Sequence, residues 1–378
     1  MTLRTKVWIL AASAAFSFGC ASPERSLTSE QPGSKGRLML IGGGLDSDNR
    51  PVYERFLELA RAPGEANVLI ATAASGNQDE SGTDKVETLH AYDASVKVQI
   101  IRRETDTATT VAAIDAATAM FFTGGDQKRI TDRYRTKDQP TPEWEAMRRL
   151  LLRGGVIAGA SAGDAMMGSI MFFTGRSAQA LGIPRKDPDP DDDRENRPVP
   201  QIGPGMYFLP WALTDSHFWE RDRIGRLVAA LELTKARDVG PISIGIGIGE
   251  DACVEVDLAT GEFVGTSVSE SLLVDADTLV RDGASRRTVI GRVIKQGDRV
   301  IPMSWVKRNN DGPARPAGDA RPVPVVEPGQ NRQLASWQLF TSASQKGSGP
   351  VVLQLEGWRV VAWPDGKGNA VFDVEVEK

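Results

Sequence analysis

The chain is short of the residue types that most often carry chemistry. Its 378 residues include two cysteines, Cys20 and Cys253, and two histidines, His90 and His217. Two cysteines cannot make a disulfide scaffold, and Cys253, in an apolar run, reads as a small buried residue. The chain also lacks a basic excess. Its formal net charge of −5 argues against a nucleic-acid surface, which needs a basic stripe. No internal repeat is present, and after the N-terminal segment no apolar run is long enough to span a bilayer. What remains is an ordinary globular composition, 40 % hydrophobic and 25 % charged, sized for one large domain with a smaller addition or for two domains.

The N-terminus reads as a targeting segment. Arg4 and Lys6 precede an apolar core at residues 7–18 that is too short to cross a membrane. Gly19-Cys20-Ala21-Ser22 looks like a bacterial lipoprotein processing site, which would leave Cys20 as a lipidated N-terminus. Cleavage after Ala21 is the alternative. Either route predicts export, to the periplasm, the outer membrane or the exterior, with membrane attachment only through Cys20. Residues 1–20 are then the signal and residues 21–36 a polar tether.

Beyond the tether, apolar strands alternate with helical periodicity. Strands are expected at 37–41, 67–73, 96–101, 119–123 and 156–158. Helices are expected at 51–62, 84–92, 107–117 and 141–153. This alternation predicts an α/β fold with a doubly wound, mostly parallel sheet joined by right-handed crossovers. Near-continuous apolar strands imply that both sheet faces are covered. A further apolar strand is expected at 206–213. After Asp251 the texture turns to β, with strands at 253–256, 288–294 and 299–303. Residues 309–331 are rich in Pro, Gly, Asn and Asp, and strand-like runs return at 351–377. The expected division is a main domain at 37–305, a linker or long loop at 306–347 and a β-strand extension at 348–378.

Ligands of such sheets sit beyond the carboxyl ends of the strands. Three glycine-rich turns fall there, at 42–44, 124–127 and 159–163. The first lacks a dinucleotide fingerprint, because Ser47 stands where the last glycine belongs. The third, Gly159-Ala-Ser-Ala-Gly163, fits the pattern G-x-S-x-G, in which a sharp strand-to-helix turn exposes a serine hydroxyl. A glycine-rich turn with serine as helix N-cap would look the same locally. The acidic run at 187–195 lacks EF-hand spacing and reads as a solvated loop.

A serine nucleophile needs a base. His90 lies on a polar helix expected at the surface, which leaves His217. The scarcity of histidine makes that choice nearly forced. Arg221, Arg223 and Arg226 follow it. Arg223 and Arg226 share a helical face, suited either to carboxylate recognition or to pairing with nearby acids. The third member would come from the glycine-interleaved strand ending in Glu250-Asp251, and residue chemistry alone does not choose between the two.

Four blocks taken together resemble the cyanophycinases, which stand with the aspartyl dipeptidases in one family of serine peptidases. They are Phe121-Phe-Thr-Gly-Gly-Asp-Gln127, Gly159-Ala-Ser-Ala-Gly163, Asp215-Ser-His-Phe218 with Arg221-Asp-Arg-Ile-Gly-Arg226, and Gly245-Ile-Gly-Ile-Gly-Glu-Asp251. They cover roughly residues 37–256. The resemblance implies an α/β fold like that of the class I glutamine amidotransferases. It implies Ser161 as nucleophile, His217 as base and Glu250 as the group that orients it. Oxyanion donors would be the N–H groups of Gly125 and Ala162, and the substrate pocket would hold Gln127, Asp215, Arg221, Arg223 and Arg226. No metal or organic cofactor is implied.

The implied substrate is a polypeptide or dipeptide containing aspartate. Cyanophycin, a polyaspartate carrying arginine on each β-carboxyl, would be cut to β-Asp-Arg dipeptides. A homodimer is compatible with this picture. Two departures bear on the substrate. Ser216 replaces the family's glutamine, and Asp164 stands where a small residue is usual. An aspartyl dipeptidase with another substrate, or an inactive surface binding protein of the same fold, are the alternatives.

Overall fold

The computed structural model describes residues 34–136, 139–183, 201–237, 242–302, 321–322, 350–355, 357–364 and 369–377. The signal segment with Cys20, most of the tether, the acidic run at 187–195 and nearly all of 306–347 lie outside the described residues.

The first half is a run of strand–helix units. β1 (Arg37–Ile41), β2 (Asn67–Ala71), β3 (Lys97–Ile101), β4 (Ala119–Phe122) and β5 (Val156–Ala160) alternate with α1 (Arg50–Arg61), α2 (Gln78–Tyr92), α3 (Thr107–Ala116), α4 (Gln127–Tyr134) and α5 (Pro142–Leu152). The helix starts carry their own signals. Asn49, Asn77, Asp106, Asp126 and Thr141 each accept an amide N–H with the side chain, and proline stands in the first turn of α1 and α5. The five strands pair in parallel in the order β1-β5-β4-β2-β3.

Side chains alternate across this sheet, as the two-residue period of a strand requires. Met39, Ile41, Val68 and Ile70 pack with Val52, Phe56 and Leu57 of α1. Leu38, Leu40, Leu69 and Met120 pack on the other face with Ile114 of α3 and Trp144, Met147 and Leu150 of α5. Helices on both faces make the sheet doubly wound, so β1, β2, β4 and β5 read as apolar runs, while the edge strand β3 exposes Lys97 and Gln99.

The second half adds α6 (Ala162–Ala165), the hairpin of β6 (Ile170–Thr174) and β7 (Gln201–Pro204), the turn α7 (Ser177–Ala180), β8 (Ala212–Asp215), α8 (Ile224–Arg237), β9 (Ile244–Ile248), β10 (Cys253–Asp257), β11 (Phe263–Gly265), β12 (Ser271–Asp282), β13 (Arg286–Ile294) and β14 (Arg299–Val300). β10 pairs antiparallel with β1, and β11 and β14 extend that edge. A second sheet runs β15-β16-β17-β18-β13-β12-β9-β8, its last members being β15 (Arg321–Pro322), β16 (Val351–Leu355), β17 (Trp358–Pro364) and β18 (Ala370–Val376). The C-terminal strands thus continue the sheet that contains β8 and β9. Ile244, Ile246 and Ile248 face the core shared with the first sheet, while α8 and the C-terminal strands build a separate apolar cluster.

One expected strand is corrected. Residues 206–211 are not part of β8. Met206 and Leu209 donate to the carbonyls of Met166 and Met167, Tyr207 takes a φ of 60°, and Pro210 has no amide hydrogen to extend a ladder. The segment is a strap over the turn that follows Ser161. Cys253 is buried as expected, 2 % exposed, and burial pushes its thiol pKa far up. Among the described residues no helix is long and apolar enough to cross a membrane.

Candidate active site

β5 ends at Ala160 and the chain turns directly into α6. At the turn Ser161 has φ 55° and ψ −104°, a conformation costly for any residue with a Cβ. Its flanking glycines are sterically required. A Cβ at Gly159 would lie 2.1 Å from Gly163 O, and one at Gly163 would lie 2.7 Å from Phe122 O. The turn therefore closes backbone against backbone and leaves the serine side chain half-buried at the sheet edge.

Ser161 Oγ stands 2.7 Å from His217 Nε2, and His217 Nδ1 stands 2.6 Å from Glu250 Oε1. The three groups come from different elements: the β5–α6 turn, the turn after β8 and the end of β9. His217 also has a positive φ, 46°. Of the two adjacent acids, Glu250 meets the imidazole. Asp251 instead accepts from Asn49 Nδ2 at 2.7 Å and from the Asp46 amide at 3.1 Å. His90 is exposed on α2, with Nε2 3.1 Å from Val96 O.

What gathers the three turns is the loop after β1. The carbonyl of Ile41 accepts the Ser161 amide at 2.9 Å, that of Gly42 accepts the His217 amide at 2.7 Å, and that of Gly43 accepts the Asp251 amide at 2.8 Å. Three successive carbonyls thus hold the backbone of the serine, the histidine and the residue after the glutamate. The loop runs beneath them without side chains, because Gly43 lies against His217 and Ser161 while Gly44 lies against Glu250. Sequence reasoning placed this triple glycine at the ligand edge but gave it no role in the site. The signal was there: three glycines in a row at a strand end mark a close approach by something else.

His217 is pushed below the ordinary histidine pKa. Burial is the main cause and the charge of Arg221 the next, opposed by the contact with Glu250. At neutral pH the imidazole is then neutral. With Nδ1–H donated to Glu250, Nε2 faces the serine as a proton acceptor.

The second glycine turn passes beside the serine. A Cβ at Gly124 would lie 3.4 Å from Ser161 Cβ. Gly125 has φ 136° and no room for a side chain, since a Cβ there would meet Ala74 O at 2.2 Å. Ala162 is buried and starts α6. Gln127 starts α4 and donates from Nε2 to the carbonyls of Phe172 and Phe173, so its amide is engaged by β6.

The arginines divide by depth. Arg226 is 4 % exposed and binds the buried Asp215 through both Nε and Nη2, with Nη1 on Gly175 O at 2.6 Å. Arg223 is half-buried; its Nη1 lies 3.3 Å from Asp215 Oδ1 and also donates to Ser216 O. Arg221 is exposed and has no ion pair among the described residues. Arg223, just before α8, and Arg226, in its first turn, converge on one carboxylate, and Arg221 is left at the surface near His217.

Asp164 is fully buried, and neither carboxyl oxygen has a hydrogen-bond partner among the described residues. Burial first, and then the charge of Asp215, push its pKa well above the carboxylate range, with Arg223 opposing. It lies directly behind the serine turn, its amide donating to Ser161 O at 3.1 Å.

Residues 38–188 match the family model described as Peptidase family S51. The chain is 29 % identical over 234 residues to a cyanophycinase of Nostoc sp. (strain PCC 7120 / SAG 25.82 / UTEX 2576), covering 58 % of this chain and 67 % of that protein. It is 27 % identical over 237 residues to a cyanophycinase of Synechococcus elongatus, covering 61 % and 66 %. The match thus spans about two thirds of these relatives. Among solved structures, a peptidase from an acI-B1 Actinobacterium aligns with 71 % of this chain and 97 % of its own, at 17 % identity and a TM-score of 0.49. The chain is thus similar to the S51 peptidases over residues 38–188 and to the cyanophycinases over about 60 % of its length, which supports a serine-type peptidase.

Proposed function

We propose that this serine-type S51 peptidase hydrolyses amide bonds beside aspartyl residues, with Ser161, His217 and Glu250 as its catalytic triad. The observation that carries the reading is the continuous contact from Ser161 Oγ to His217 Nε2 to Glu250 Oε1, at 2.7 and 2.6 Å, on a serine held at positive φ.

In this reading His217 Nε2 removes the hydroxyl proton as Ser161 Oγ attacks the carbonyl carbon. The negative charge on the carbonyl oxygen is received by the amide N–H groups of Gly125 and Ala162. One such donor is worth about 3–4 kcal/mol in well-studied hydrolases. Collapse breaks the C–N bond, the amine leaves with the proton from His217, and an ester to Ser161 remains. Water, deprotonated by His217, then releases the acid and restores the serine. Glu250 keeps the imidazole in the tautomer that presents Nε2 to the serine.

We take cyanophycin as the substrate, cut to β-Asp-Arg dipeptides, with the protein exported through its N-terminal segment. The curated relatives support the substrate, as does the placement of Arg221 and Arg223 near His217. Ser216 and the buried Asp164 favour a second reading, an aspartyl dipeptidase with another substrate. Incubating the purified protein and Ser161→Ala with cyanophycin and with aspartyl dipeptides separates the readings. Soluble β-Asp-Arg made only by the parent supports the first. Dipeptide cleavage without polymer cleavage supports the second. Equal product from parent and Ser161→Ala would refute the triad.

A further inference from the structure

The turn that delivers His217 also delivers a second acid to the triad. Residues 217–220 lie along the end of β9. The Phe218 amide donates to Ile248 O at 3.0 Å, and Trp219 Nε1 donates to Glu270 O at 2.9 Å. The glycines of this strand make the approach possible. A Cβ at Gly247 would stand 2.5 Å from the Phe218 ring, and one at Gly249 would stand 2.7 Å from the Trp219 indole. Two aromatic rings therefore set the register of this turn against β9.

In that register Glu220 Oε2 accepts the amide N–H of Glu250 at 3.0 Å. Glu220 thus holds the backbone of the same residue whose carboxyl group meets His217. Its other oxygen is buried and has no partner among the described residues. Burying an unpartnered carboxyl oxygen costs free energy, and an apolar side chain would fill the space without that cost. An apolar side chain would, however, leave the Glu250 amide without its acceptor.

We propose that Glu220 is a positioning residue of the triad: it clamps the Glu250 backbone so that the Glu250 carboxyl group meets His217 Nδ1. The proposal rests on the serine-peptidase reading above. Glu250 has no strand partner at this point, since the pairing of β9 with β12 ends at Ile248. Glu250 is also followed by Asp251 at φ 57°. The Asp251 amide is held by Gly43 O and the Ala252 amide by Gly249 O, so Glu220 is the acceptor that fixes the amide just before these two, that of Glu250, and with it the direction of the carboxyl group. Burial pushes the Glu220 pKa up, opposed by the backbone hydrogen bonds that the carboxyl group accepts, that from Glu250 among them. Glutamine keeps a carbonyl oxygen as acceptor for the Glu250 amide, whereas alanine removes it.

The test measures labelling of Ser161 by a sulfonyl fluoride, followed by intact mass, so no substrate need be known. Ser161→Ala is the control. Proton NMR of the His217 Nδ1–H is recorded in parallel, on a His90→Asn background that leaves one histidine. Glu220→Ala is expected to label on the order of 10- to 100-fold more slowly and to lose the downfield Nδ1–H signal. Glu220→Gln is expected to keep the signal and to label within about threefold of the parent, because the acceptor remains. Glu220→Met, similar in volume but without an acceptor, replaces alanine should that variant not fold. Labelling of the acceptor-free variant at the parental rate overturns the proposal, as does an equal loss in the glutamine variant. No labelling of the parent overturns the serine-nucleophile reading, and this proposal with it.

Discussion

A methyl group at position 43 would stand 2.4 Å from His217 Cε1 and 2.5 Å from Nε2. Gly43 is thus the surface on which the imidazole rests, and its φ of 100° is itself unfavourable for any other residue. Gly43→Ala must displace the ring that faces Ser161. We expect kcat to fall on the order of 100-fold, the penalty of a displacement near 1 Å, in a protein that still unfolds cooperatively. Steady-state kinetics beside a thermal melt decides this. Parental kcat in Gly43→Ala would show that the imidazole does not rest there.

His217 also sets the acid side of the pH profile. Because burial and Arg221 depress its pKa, kcat/KM should rise with pH through a value below about 6.5, the ordinary histidine value. Removing the cation in Arg221→Ala makes the imidazolium easier to form. The acid limb should then move to higher pH while the melting temperature stays near the parent's, because Arg221 is exposed. A limb that does not move would remove Arg221 as a cause.

Arg226 should behave in the opposite way. It is buried on Asp215, and removing one partner of such a pair strands the other charge, at a cost of about 3–5 kcal/mol. Arg226→Ala is expected to lower the denaturant midpoint sharply. Arg226→Ala with Asp215→Ala should recover part of the loss. A single variant as stable as the parent would contradict the buried pairing.

Asp164 supplies a test of stability against pH. Its folded pKa is raised above the unfolded value of about 3.9. Its stabilising contribution is therefore fully present below that unfolded value and is lost as pH rises through the folded pKa. Asp164→Ala lacks the group, so its melting temperature should gain on the parent's as pH rises from 4 to 8. The cost removed is that of a buried unpartnered group, about 1–3 kcal/mol. A difference that does not change with pH would mean that the Asp164 pKa is not raised in the folded protein.

Much of the fold could be read along the chain because its signals are local. The apolar runs of β1, β2, β4 and β5, the capping residues of the intervening helices and the glycines around Ser161 each act within a few residues. The expected strand at 206–213 failed for the converse reason. Over 206–211 its apolar residues are buried by packing on the turn after Ser161, and only Ala212 and Leu213 pair in the sheet, because hydrophobicity reports burial without saying against what.

The same boundary divides the site. By itself the sequence determined that a serine would sit in a strand-to-helix turn, because Gly159 and Gly163 act across four residues. It also narrowed the base to His217, because only one other histidine exists. Tertiary structure decided everything that depends on distant segments meeting. It put Glu250 and not Asp251 on the imidazole, drew Arg226 inward onto Asp215, set Glu220 on the Glu250 amide and made Gly42 and Gly43 the link among three turns. Those outcomes rest on hydrogen bonds and close contacts between residues far apart in the chain, and one-dimensional spacing carries no record of which backbone carbonyl will meet which amide.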